Sequence, residues 1–127
     1  MRLEFKHNLP FVELTAVQNG RAVRFSSVLI DTGSASTILS IDELTKIGVA
    51  PAPNDIIHRI RGVGGVEAVF RRRIDLIELA EISVRDFAIE VGALDYGFDI
   101  QGIIGTDFLV RTRAVIDLSA REVRFPG

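Results

Sequence analysis

Val28-Leu29-Ile30-Asp31-Thr32-Gly33-Ser34 is the stretch on which the reading of this chain turns. An apolar run ends in an acid, a hydroxyl, a glycine and a second hydroxyl. The run predicts a buried strand. A carboxylate at the end of a strand sits on a rigid element, as a catalytic group requires. Gly33 lets backbone, or a second carboxylate, approach closely. Thr32 and Ser34 can hydrogen-bond around the loop and fix its shape. The plain alternative is a strand that ends in an Asx-type turn, for which Asp-Thr-Gly is also comfortable.

Working outward, the flanks read as β structure. Pro10 to Val17 predicts a strand, Asn19-Gly20 a tight hairpin turn, and Ala22 to Ile30 the return strand, with Ser26-Ser27 breaking the alternation as a bulge does. After the loop, Ala35-Ser36-Thr37-Ile38-Leu39-Ser40 climbs back into apolar strand. Ser40 to Ile47 then predicts a short helix, with Ser40 and Glu43 at capping-box spacing and Gly48 at its C-terminus. Ile56 to Phe70 predicts a hairpin with a glycine-rich tip, Gly62-Val63-Gly64-Gly65, whose plainest reading is a turn. Arg73 to Leu79 and Ser83 to Val91 form a further strand pair, in which Phe87, Ile89 and Val91 alternate as an inward face. A loop over 92–101 precedes Ile103-Ile104, and Thr106 is the expected N-cap of a second short helix through Arg111. Ala114 to Leu118 and Glu122 to Phe125 close the chain as a hairpin. The expected fold class is therefore all-β with two short helices, in a single domain over residues 1–127.

Composition narrows the chemistry. The chain has 127 residues, 47% hydrophobic and 25% charged, the mix of a globular domain with its own core. A net charge of −2 gives no reason to expect a nucleic-acid partner. With no cysteine, disulfides and thiolate metal sites are excluded. No apolar stretch is long enough to span a bilayer and the first residues lack a signal-peptide run, so the expectation is a cytoplasmic protein without a membrane partner, itself complete or a domain of a larger one. His7 and His58 stand apart, and no metal or cofactor is expected.

The order of hairpin, Asp-Thr-Gly-Ser loop, glycine-tipped hairpin, and then Ile103-Ile104-Gly105 leading into a short helix resembles the retropepsin-like aspartic proteases, from about Pro10 to Phe125. The resemblance implies an acid-protease half-barrel in which Asp31 is the catalytic aspartate. Thr32, Gly33 and Ser34 complete the active-site loop, with the Thr32 hydroxyl locking two such loops together across a dimer. It implies substrate contacts at Ala35, Ile38, Ile103 and Ile104, and a flap tip at Gly62, Val63, Gly64 and Gly65. Two departures stand out: Ala35 and Ser36 occupy positions where viral members carry an acid that grips substrate backbone, and Thr106 stands where several carry an arginine that braces the dimer.

One carboxylate cannot both activate water and protonate a peptide, and no second Asp-Thr-Gly exists. Asp75, Asp86, Asp95, Asp99 and Asp117 all lack that context. The resemblance thus implies an endopeptidase acting on extended polypeptides as a homodimer, its termini (Met1 to Asn8 and Glu122 to Gly127) candidates for the interface. Two further readings keep the same fold: a catalytically silent peptide-binding or scaffolding module, and a protease domain activated when a larger protein brings two copies together. Arg71-Arg72-Arg73 reads as a solvated basic strand face in preference to a site for an acidic partner. Asp107 reads as a first-turn acid favoured by the helix dipole, and Asp117 as structural.

Overall fold

A computed structural model describes residues 1–62, 65–94 and 99–126, and the side chains of these except within 60–67. The strands are β1 (Glu4–Lys6), β2 (Leu9–Gln18), β3 (Arg21–Ile30), β4 (Ile38–Ser40), β5 (His58–Gly62), β6 (Gly65–Leu79), β7 (Ile82–Gly92), β8 (Gly102–Ile104), β9 (Val115–Asp117) and β10 (Glu122–Arg124). Two short helices, α1 (Ile41–Leu44) and α2 (Thr106–Arg111), complete the fold, which is mainly β as its patterning predicts. The loop expected over 92–101 is described apart from residues 95–98.

Local chemistry accounts for the first hairpin. Asn19 and Gly20 take φ of 53° and 76°, the left-handed pair that turns β2 into β3 in two residues. The register then moves from Leu14 opposite Phe25 to Val12 opposite Val28, so Glu13 faces both Ser26 and Ser27, and the bulge falls where the alternation breaks. Its two freed N–H groups both donate to Gln101 Oε1, at 2.6 and 3.1 Å, which ties β3 to the start of β8. Ser40 caps α1 by accepting from Asp42 N. Glu43 does not reach back to close a capping box. It accepts from Lys46 Nζ and Gln101 Nε2 instead, and the last turn tightens into a 3₁₀ turn before Gly48 at φ 87°.

The main sheet runs β1-β2-β3-β8-β4-β7-β6-β5, and β2 also pairs with β6 through Ala16 and Ile77. That last pairing closes β2, β3, β8, β4, β7 and β6 into a barrel. Inside lie Phe25, Leu39, Leu44, Ile74, Ile77, Ile89, Ile104 and Phe108, all buried. Each such side chain contributes about 1.5–3 kcal/mol by leaving water. Phe87 and Phe108 meet edge to face at 5.4 Å, fastening α2 to β7. A second, smaller cluster of Phe11, Leu29, Ile38, Ile100 and Ile103 lies apart from this core.

The terminal strands form their own small sheet. β9 pairs with β10, and β10 pairs on its other side with the chain's first residues: Val123 N donates to Met1 O at 2.8 Å, and Leu3 N to Arg121 O at 2.9 Å. The two terminal segments are thus joined to each other within one chain.

Candidate active site

β8 lies between β3, to which it is parallel, and β4, to which it is antiparallel. Leu29 and Ile103 are register partners, as are Ile30 and Ile104, and Asp31 N extends the ladder by donating to Ile104 O at 3.0 Å. Side chains alternate along a strand, so Asp31 shares the face of Leu29 and the smaller apolar cluster, and turns away from the main core. The carboxylate is partly exposed. Its Oδ1 accepts from Gly33 N at 2.9 Å, and Ser34 N donates to the Asp31 carbonyl at 3.1 Å. The Ser34 hydroxyl donates to Ser36 O at 2.7 Å, so the loop is shaped by its own polar groups.

From below, the loop is braced by the start of α2. Thr106 N donates to Ser34 O at 2.8 Å and Asp107 N to Ala35 O at 3.3 Å. Thr106 is the first helical residue, not the N-cap: Gly105 holds the cap position, and the Thr106 hydroxyl donates to Thr32 O at 3.0 Å. Gly105 is required by space. A Cβ there would lie 2.4 Å from Ser36 O and 2.8 Å from Ser34 O, both backbone. Asp107 does more than favour the helix dipole. Its Oδ1 accepts from the Thr37 hydroxyl at 2.7 Å and its Oδ2 from Thr37 N at 3.2 Å. Buried Thr37 in turn accepts from Gly105 N at 3.1 Å. Sequence reasoning passed over Thr37. The usable signal was a hydroxyl six residues after the acid and a carboxylate two residues after Gly105.

The other expected site residues fall as follows. Thr32, Gly33 and Ala35 are exposed at the loop, and Ser34 is half-buried. Ile38 and Ile103 are buried in the smaller cluster beside Asp31, whereas Ile104 is in the main core. Gly62 and Gly65 pair across the tip of the β5–β6 hairpin, while Val63 and Gly64, like Asp95, lie outside the described residues. The arginine run is not a bare basic face: Arg71 pairs with Glu90, Arg72 with Asp55 and Arg73 with Asp86. Asp117 Oδ1 accepts from Ala120 N at 2.9 Å and so shapes the β9–β10 turn. Among the described residues no cluster of His, Cys, Asp or Glu could hold a metal, and no helix is long and apolar enough to cross a membrane.

A family model described as aspartyl protease matches residues 14–108, and with them the pinned aspartate loop between β3 and β4. The chain belongs to the aspartyl protease family. The matched span reaches from β2 to the middle of α2, so it includes Asp31 and all of the loop's braces. No curated protein matches the chain. Membership in the aspartyl proteases carries a hydrolytic, protease-type function, with polypeptides as the substrate class.

Proposed function

We propose that the protein is an aspartic endopeptidase in which Asp31 meets its twin from a second copy of the chain. The observation that carries this reading is the Asp31 loop itself: one acid, rigidly held and partly exposed, with no second acid in the same setting among the described residues. Two carboxylates about 3 Å apart share one proton, because like charges that close do not both ionise. The ionised member takes a proton from a bridging water, whose oxygen attacks the scissile carbonyl carbon. The protonated member donates to the carbonyl oxygen, giving a tetrahedral diol. Collapse of the diol breaks the C–N bond: the first carboxyl passes the water's proton to the departing nitrogen, and a diol hydroxyl gives its proton to the second carboxylate, so the dyad again shares one proton. No metal or cofactor enters.

Two features favour a two-fold partner. The Thr32 side chain is exposed at the loop tip and makes no hydrogen bond among the described residues, which leaves its hydroxyl available to a second loop. The small terminal sheet also has an open edge. Val123 turns both N–H and C=O toward Met1, so Glu122 and Arg124 face β9, and their register mates Asp117 and Val115 face back. Alternation then points the N–H and C=O of Ile116 outward. Two such edges can pair antiparallel about a two-fold axis, with Ile116 opposite Ile116. Exposed Val115 and Leu118 flank that edge. In this arrangement the N-terminal strand stays with its own chain, and the interface is β9 against β9.

The substrate lies as an added strand, its main chain bonded and its side chains in alternating pockets. The β5–β6 hairpin serves as the flap, closing over the substrate to exclude water. Asp31→Asn tests the reading directly. Cleavage of unfolded polypeptides is abolished while the circular dichroism spectrum and sedimentation behaviour are unchanged; undiminished cleavage removes Asp31 from the mechanism.

A further inference from the structure

A cavity of about 240 Å³ opens beside the active-site loop, lined by Ala35, Ser36, Arg71, Ala88, Glu90 and Asp107. Glu90 is the unusual member. Strand alternation with Ile89 and Val91 predicts an outward side chain, yet only 3% of it is exposed. Its Oε1 accepts from Arg71 Nη2 at 3.0 Å. Its Oε2 lies 3.0 Å from His58 Nε2, on the side away from Arg71. A buried carboxylate is costly to keep without such partners.

Charge gives the cavity a sign. Glu90 and Asp107 are two carboxylates against the one guanidinium of Arg71, so the lining carries one negative charge in excess. Asp107 is spent on Thr37 and Phe108, which leaves Glu90 as the acceptor with capacity to offer. The Arg71 side chain is 67% exposed, so an incoming cation can replace it without leaving the buried carboxylate unpaired. Position matters equally. Ala35 and Ser36 follow Asp31 in the same loop, and five residues of chain reach at most about 17 Å. An extended substrate over Asp31 therefore passes the cavity within its first few side chains to one side of the scissile bond. The loop lacks an acid of its own at these positions, and β7 supplies one from beneath.

We infer that this cavity is a selectivity pocket for a lysine or arginine side chain of the polypeptide, with Glu90 as counter-charge. The inference rests on the endopeptidase reading for its substrate. The cationic side chain takes the place of Arg71 at Oε1 through a charge-assisted hydrogen bond.

The test digests a mixture of unfolded protein fragments with the full chain and aligns the cleavage sites by mass spectrometry. Lysine and arginine are expected to be enriched at one fixed position within about five residues of the cut. For a matched lysine/norleucine peptide pair, Glu90→Gln lowers the kcat/KM ratio about tenfold, and Arg71→Gln, which removes the competing cation, raises it several-fold. Loss of folding would lower both peptides together and could not yield opposite signs. No basic enrichment, or a ratio unmoved by both variants, overturns the pocket. A chain that cleaves nothing defeats the endopeptidase reading instead. The pocket is then read by binding the same pair to Asp31→Asn protein: tighter lysine-peptide binding that Glu90→Gln erases upholds it, and equal binding overturns it.

Discussion

Gly105→Ala is the sharpest perturbation the site allows. The added methyl would stand 2.4 Å from Ser36 O, 2.6 Å from Ser36 C and 2.8 Å from Ser34 O. Ordinary contact begins near 3.4 Å, so the loop or the start of α2 must move by on the order of 1 Å. None of the three is a side chain that could swing aside. The same movement strains the bonds from Thr106 N to Ser34 O, Asp107 N to Ala35 O and Gly105 N to Thr37 Oγ1. Overpacking costs about 1–3 kcal/mol, and each weakened bond up to about 1 kcal/mol, so the total is about 3–5 kcal/mol. A chain of this length loses about 0.27 kcal/mol per degree at its midpoint, which places the fall in Tm at about 10–20 °C. Gly20→Ala is the control: no atom lies within 4 Å of its Cβ, and only its φ of +76° is unfavourable, so its cost is about 1 kcal/mol. Thermal unfolding followed by circular dichroism reads both variants. A Gly105→Ala protein melting within about 3 °C of the parent would refute the close seating of the loop on α2.

Thr37→Val strands Gly105 N–H and removes one of the two donors to Asp107 Oδ1, and is expected to cost about 1–3 kcal/mol in denaturant unfolding, while Thr37→Ser stays within about 0.5 kcal/mol; equal effects would deny the hydroxyl its role. Val115→Lys with Leu118→Lys places charges along the β9 edge at exposed positions, so sedimentation should show weaker self-association with Tm within about 2 °C of the parent. An unchanged dimer would move the interface elsewhere. Arg73 holds the Asp86 carboxyl below the usual carboxylate range, chiefly through their hydrogen bond and then through charge. A carboxyl lowered on folding contributes above its unfolded value and loses that contribution as pH falls through its folded one, here below about pH 4. Arg73→Gln should therefore raise the Asp86 midpoint toward the ordinary range by NMR titration, and an unmoved midpoint refutes the pairing.

Local signals in the sequence carried the strands, the hairpin turn and the bulge, because Asn19-Gly20 and Ser26-Ser27 act through their own backbone. Asp31 was legible for the same reason. Residues whose roles depend on distant partners were not. Thr37 and Asp107 are 70 positions apart and look like an ordinary strand hydroxyl and an ordinary first-turn acid until β8 threads between β3 and β4. The burial of Glu90 was not legible because alternation states which face of its own strand a residue takes, but not what covers that face; here Arg71 on β6 and His58 on β5 close over it. That Met1 to Leu3 lie along β10 of their own chain was likewise a long-range pairing that no local signal announces.

The bracing of the aspartate loop by α2 has a temporal side. Thr106, which steadies Thr32, follows it by 74 positions. A ribosome adding about 5–20 residues per second needs about 4–15 s to travel that distance. Throughout that interval the emerging polypeptide carries its acid without the scaffold that aims it. The loop thus gains its brace only once α2 has emerged, and a product truncated before α2 presents the same acid unbraced.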